Sequence, residues 1–90
     1  MSNNHQANEG ELVGRIVHYF DKIGVAVVKL EGTLAVGDKI RIRGGESTDF
    51  EQEVGSMEID HKKIKKARQG DEVGMAVAEK VREGYKVYKI

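Results

Sequence analysis

VGDKIRIR, residues 36–43, carries the organisation of the whole chain in miniature. A glycine, free to take the positive φ of a tight turn, comes first. A polar stretch follows, and then Ile40 and Ile42 alternate with Arg41 and Arg43. Side chains in a strand alternate with period two, so the isoleucines face inward and the arginines outward. The phrase recurs as QGDEVGM (69–75) and EGYKVYKI (83–90), each reading glycine, a polar or aromatic residue, a charged residue and a β-branched residue. It marks three turn-to-strand entries and is no evidence of chemistry.

The surrounding segments extend the pattern. ELVGRIVHYF (11–20) places Leu12, Ile16 and Phe20 on one parity and Val13, Val17 and Tyr19 on the other. IGVAVVKL (23–30) is a continuous run rich in β-branched residues. FEQEVGSMEID (50–60) begins with Phe50 and Val54 on even positions and switches to Met57 and Ile59 on odd ones. A switch of parity needs an extra residue, which predicts a β-bulge at Gly55-Ser56. EVGMAVAEKV (72–81) and YKVYKI (85–90) complete a set of about six strands, spaced as in a closed or nearly closed antiparallel barrel. Closure would remove exposed strand edges. The rival element is a helix at 61–69, where Ile64 and Ala67 are three apart. At most a turn or two is expected there, dropping both residues onto the barrel's open end.

Ninety residues predict one domain, with 1–10 as a disordered polar tail and 11–90 as the barrel. The apolar share of 39% and charged share of 33% fit a folded, soluble chain. Eleven glycines and no proline leave backbone N–H groups free for ladders. The formal net charge is zero, so any case for nucleic acid rests on local clustering. The absence of cysteine excludes disulfides, thiolate metal sites and a cysteine nucleophile, and is compatible with a cytoplasmic location. MSNNHQANEG has no apolar core of a signal peptide, and no apolar run reaches the roughly 20 residues that cross a bilayer. No membrane association is expected.

Motifs for catalysis are weak. GTLAVGDK (32–39) has glycines at the spacing of a phosphate loop, but Asp38 stands where that loop needs lysine and would repel phosphate. No nucleotide is expected. His5, His18 and His61 are too far apart for a close-spaced metal site. The carboxylates of 46–60 fall on alternating strand positions that face water. The chain is therefore expected not to be an enzyme, with no catalytic residue, cofactor or metal.

The densest positive charge lies in HKKIKKARQGDEVG (61–74). Two readings stand side by side. Lys62, Lys63, Lys65, Lys66 and Arg68 form either a solvated loop between strands or, with Arg41 and Arg43, a surface that tracks phosphates. Single-stranded RNA would also need stacking partners, for which Tyr19, Tyr85 and Tyr88 are the candidates.

Read in order, GRIVHYFDKIGVAVVKLEGTLAVGDKIRIRG, EVGSMEIDHKKIKKARQGDEVGMAV and EGYKVYKI resemble the second-domain β-barrel of translational GTPases such as elongation factor Tu. The matching positions are Gly32, Leu34, Gly37, Asp38, Ile40 and Ile42, then Ile64, Ala67, Gly70, Asp71, Val73 and Gly74, then Gly84 and Val87. The resemblance spans about residues 11–90. It implies an all-β fold, a small six-stranded antiparallel Greek-key barrel of the reductase/isomerase/elongation-factor common-domain type. It implies neither GTP binding nor hydrolysis, because the GTPase domain has no counterpart here. Tyr85 departs from the pattern, where aspartate or a small polar residue is usual. The function it implies is that of a stand-alone translation-factor-like binding module contacting RNA or a ribonucleoprotein related to tRNA or the ribosome. Similar barrels serve as accessory domains of collagenase-like peptidases, which leaves a protein-interaction module acting in trans with such an enzyme as the alternative. A more distant likeness joins Gly14-Arg15 and Val36-Gly37-Asp38 to RNA-modification barrels.

Overall fold

The computed structural model describes residues 10–90, and every regular element among them is a β-strand. In chain order these are β1 (Glu11–Phe20), β2 (Val25–Leu30), β3 (Leu34–Ala35), β4 (Lys39–Gly44) and β5 (Thr48–Glu53). There follow β6 (Met57–Ile59), β7 (Lys62–Ile64), β8 (Lys66–Ala67), β9 (Glu72–Ala76) and β10 (Lys86–Lys89). Eight strands form one sheet in the order β5-β4-β10-β1-β2-β9-β6-β7, while β3 and β8 make a separate ribbon. All the pairings are antiparallel. The last strand lies between β4 and β1, and β9 lies between β2 and β6, the crossovers of a Greek key.

The sheet has to curl. β5 stands at one end of the sheet order, yet only residues 54–56 separate it from β6 near the other end. At the seam the Gln52 side chain spans from β5 to the end of β9: its Nε2 donates to the Ala76 carbonyl at 2.9 Å and its Oε1 accepts from the Ala78 N–H at 2.7 Å. The strands thus wrap one core in which Ile16, Leu30, Leu34, Ile40, Ile42 and Met57 are among the largest fully buried side chains. Ile40 and Ile42 face inward as the alternation requires, with Arg41 and Arg43 on the other face.

The three repeated phrases fold as three turns of one kind. In residues 35–38, 68–71 and 82–85 the third position is Gly37, Gly70 or Gly84, with φ of 98, 95 and 93°. The fourth N–H donates to the first carbonyl at 3.0, 3.0 and 3.2 Å, from Asp38 to Ala35, Asp71 to Arg68 and Tyr85 to Arg82. Positive φ confined to the third position makes them type II turns, which favour glycine there. Each turn also grips a buried residue by both its backbone groups. Val54 donates to the Asp38 carbonyl and accepts from Gly37, at 2.8 and 2.8 Å. Leu30 does the same with Asp71 and Gly70 at 2.9 and 3.0 Å, and Ile16 with Tyr85 and Gly84 at 2.8 and 2.7 Å.

The all-β barrel-type fold stands as expected, with corrections of detail. Gly55-Ser56 is not a bulge but the break between β5 and β6, which pair with different neighbours, so no continuous ladder has to absorb the change of parity. The bulges lie in β1, between Leu12 and Gly14 against β10 and between Ile16 and His18 against β2. They allow Val13 and Ile16, of opposite parity, both to be buried. Gly14 is needed at the first: a β-carbon there would sit 2.6 Å from the Lys29 carbonyl oxygen. The strand at 72–81 ends at Ala76. Residues 61–69 contain no helical turn and supply β7 and β8, with Ala67 buried and Ile64 packed against the core. The tail at 1–10, with His5, lies outside the described residues except for Gly10.

Candidate interaction surfaces

The basic run is built on strands. β6 and β7 are joined by a two-residue turn, Asp60-His61, with Ile59 opposite Lys62. Both turn residues have positive φ, 54 and 66°, as a type I′ hairpin demands. Lys62 and Lys63 therefore lie on β7, Lys66 on β8, Lys65 between them, and Arg68 opens the second type II turn. The loop expected here is replaced by a hairpin in which Ile64 packs against the core while Lys62 and Lys63 stay exposed. β7 ends the sheet order, and lysines on an edge strand oppose pairing with another chain. Among the described residues no ion pair within 4.0 Å engages Lys62, Lys63, Lys65, Lys66 or Arg68.

Arg41 and Arg43 meet a different environment. The Arg41 Nε and Nη2 donate to the two Asp49 carboxylate oxygens at 2.8 Å each, across the β4–β5 pair. Arg43 Nε lies 3.7 Å from Asp49 Oδ2. The Arg41 hydrogen bonds, the largest effect, hold the Asp49 carboxyl below its ordinary 3.8 against the opposing effect of desolvation, with the charges of Arg41 and Arg43 adding to the lowering. In the sheet order β4 and β7 are separated by β10, β1, β2, β9 and β6, so no ladder joins the arginines to the lysines. Tyr19 and Tyr85 pack against the core, and Tyr88 is half-buried opposite Arg41. Beside the β4–β5 hairpin is a polar depression of about 490 Å³ lined by residues 43–49 and Tyr88.

His18 Nδ1 stands 3.6 Å from Glu83 Oε2 at the surface. Among the described residues no group of three histidine, cysteine, aspartate or glutamate side chains is placed to hold a metal ion. No helix there is long and apolar enough to cross a membrane.

A larger groove, about 810 Å³, runs over the outer face of β2 and β9. Its floor follows from register. Phe20, Val25 and Ala76 lie in one cross-strand row, and Val27, Gly74 and Glu58 in the next. Gly74, without a side chain, leaves a trough between Val27 and β6. Ile23 projects from the four-residue turn after β1, where Gly24, with φ of 67°, donates to the Phe20 carbonyl at 2.9 Å. Ile23 is 68% exposed and Phe20 46%, the two most exposed large apolar side chains among the described residues. The sequence alone puts Ile23 at the start of a strand and gives no hint of the groove. The available signal is the continuous apolar run after it, because a strand with valines on both faces puts half of them outside the core.

Comparison with known proteins matches residues 24–87 to the elongation factor Tu domain 2 family model. A protein named an uncharacterised protease, from Methanocaldococcus jannaschii, is 40% identical over 76 residues, covering 84% of this chain and 19% of that protein. A Porphyromonas gingivalis collagenase is 35% identical over 78 residues, covering 86% of this chain and 22% of that one. The chain thus spans about a fifth of the length of the curated relatives it matches. In structure it is similar to the C-terminal domain of a Geobacillus thermoleovorans protein described as a U32 peptidase. Two crystal structures of that domain superpose with TM-scores of 0.84 and 0.83 at 21% identity. They cover 88 and 89% of this chain and 99 and 92% of theirs, which shows a shared fold.

Proposed function

Since the chain belongs to the elongation factor Tu domain 2 family, we propose that it is a non-catalytic binding module that works alongside a peptidase. One observation carries this reading. A single stretch covering 84% of this chain recurs, at 40% identity, as 19% of a protein named a protease. The matched segment is thus about a fifth of that protein, and in this reading the barrel supplies contact while the chemistry resides in a peptidase. A tagged full-length chain should retain a peptidase-family protein from lysate after RNase treatment, and the purified pair should co-elute. Loss of every partner on RNase treatment would remove the reading.

The second reading is contact with RNA or a ribonucleoprotein through Lys62, Lys63, Lys65, Lys66 and Arg68, with Arg41 and Arg43 as further candidates. It is favoured by the five exposed cations that no ion pair engages among the described residues. Arg41 and Arg43 already share Asp49, which weakens their claim. Titration against tRNA and rRNA fragments tests it: binding that falls steeply with salt is expected, and no binding at low salt removes it.

A further inference from the structure

We infer that the groove over β2 and β9 seats an apolar polypeptide segment of a partner protein, flanked by lysine or arginine. This rests on the accessory-module reading and specifies which face would meet the partner. The apolar part of the lining comes from Phe20, Ile23, Val25 and Val27 on one side and Ile59 and Ala76 on the other. The rim carries Glu58, Asp60, Asp71 and Glu72 together with His61; no lysine or arginine lines it, the nearest in register being Lys63 opposite Glu58. In a chain of zero net charge, four carboxylates on one rim make a local excess of negative charge. The carboxylates would attract and orient a cationic segment, while desolvation of the floor would hold its apolar side chains. Nucleic acid is disfavoured by the same rim, which would repel its phosphates.

The test uses the full chain and a fluorescein-labelled peptide with a leucine–phenylalanine centre and lysines at both ends. Anisotropy titration should show saturable binding. It should weaken at least about tenfold in Ile23→Asp and in the double variant Glu58→Gln, Glu72→Gln. Ile23 is too exposed for its loss to empty the core, and circular dichroism melts of each variant verify the fold. Equal binding of a peptide with the same centre and glutamate ends would overturn the proposal. So would equal binding of a lysine-ended peptide with a serine centre, which would mean attraction by charge alone. Sedimentation showing self-association abolished by Ile23→Asp would assign the groove to a second copy and overturn it too. If a peptidase is captured equally by wild type and Ile23→Asp, the module reading stands and the groove proposal falls. If the peptide binds as expected but no peptidase is captured, the groove stands and the module reading falls.

Discussion

The ring of Tyr85 lies over Gly44 so closely that a β-carbon on that glycine would coincide with it, and one on Gly45 would sit 2.8 Å from the Tyr85 hydroxyl. Gly44 does not have positive φ, whereas Gly45 has 59°, so at Gly44 the demand for glycine is steric alone. Gly44→Ala should therefore destabilise the barrel by about 1–3 kcal/mol, the usual cost of overpacking. In a double-mutant cycle measured by urea denaturation, Tyr85→Ala should relieve most of that cost. Strict additivity would mean that the ring moves aside freely.

That contact also accounts for the departure of Tyr85 from the repeated phrase. In the first two turns the fourth-position aspartate closes back on the first: Asp38 Oδ2 accepts from the Ala35 N–H at 2.9 Å and Asp71 Oδ2 from the Arg68 N–H at 3.0 Å. In the third turn Tyr85 gives up that bond and covers Gly44. Asp38→Ala should cost about 1–2 kcal/mol, since a charge-assisted bond to a backbone donor is lost. Tyr85→Asp should regain a bond of the same kind and still be destabilising, because it strips the packing over Gly44. Thermal melts of the two variants decide the matter, and a stabilised Tyr85→Asp would contradict the packing argument.

These turns show why so much of the fold was legible. Glycine followed by aspartate, or by tyrosine in the third case, is a local signal, and the turns it encodes grip Val54, Leu30 and Ile16. Alternation in β4 was equally local. The β1 bulges and the division of 50–60 were not, because they depend on which strand becomes the neighbour, and pairing partners are distant in sequence. The lysines were visible as a cluster but their strands were not. β7 is three residues long and holds one apolar residue, Ile64, too little to display a strand period. The groove was least visible, since it combines Ile23 from a turn with Val27 and the bare Gly74 from two paired strands.

The hairpin turn offers a stabilising change. Asp60 and His61 hold positive φ without being glycine, a conformation that is costly for residues with side chains. The double substitution Asp60→Asn, His61→Gly installs the asparagine–glycine pair that type I′ turns favour. The expected gain is about 1 kcal/mol, read as a higher urea midpoint with unchanged slope. An unchanged midpoint would imply that the two side chains already recover the cost through contacts with solvent or neighbours.

Asp49 gives the barrel an acid-sensitive contact. Its pKa in the fold is lowered, chiefly by the Arg41 hydrogen bonds, so the folded state binds its proton less readily than the unfolded state does. The contribution is fully present above the ordinary value of 3.8 and is lost as pH falls through the lower folded value. Nuclear magnetic resonance titration of the Asp49 side-chain carboxyl should give a midpoint below 3.8, and Arg41→Gln should move it upward. The stability difference between wild type and Arg41→Gln should shrink as the solution is acidified below that range. A difference that grows on acidification would have the wrong sign for this pair.

Gln52 closes a seam that the main-chain ladder leaves open. One amide group meets the carbonyl of Ala76 at the end of β9 and the N–H of Ala78 just beyond it, so it substitutes for a rung. Gln52→Ala removes both bonds and should cost about 1–3 kcal/mol, from two hydrogen bonds at typical net values. Gln52→Glu keeps the acceptor for Ala78 but has no donor for Ala76, so it should fall between wild type and alanine. Hydrogen exchange localises the effect: the Ala78 amide should exchange faster in Gln52→Ala, while Val54, gripped by Gly37 and Asp38, should change only as far as global stability falls. Equal acceleration at both amides beyond the global change would mean that the seam opens as one unit and that the Gln52 amide is not its local fastening.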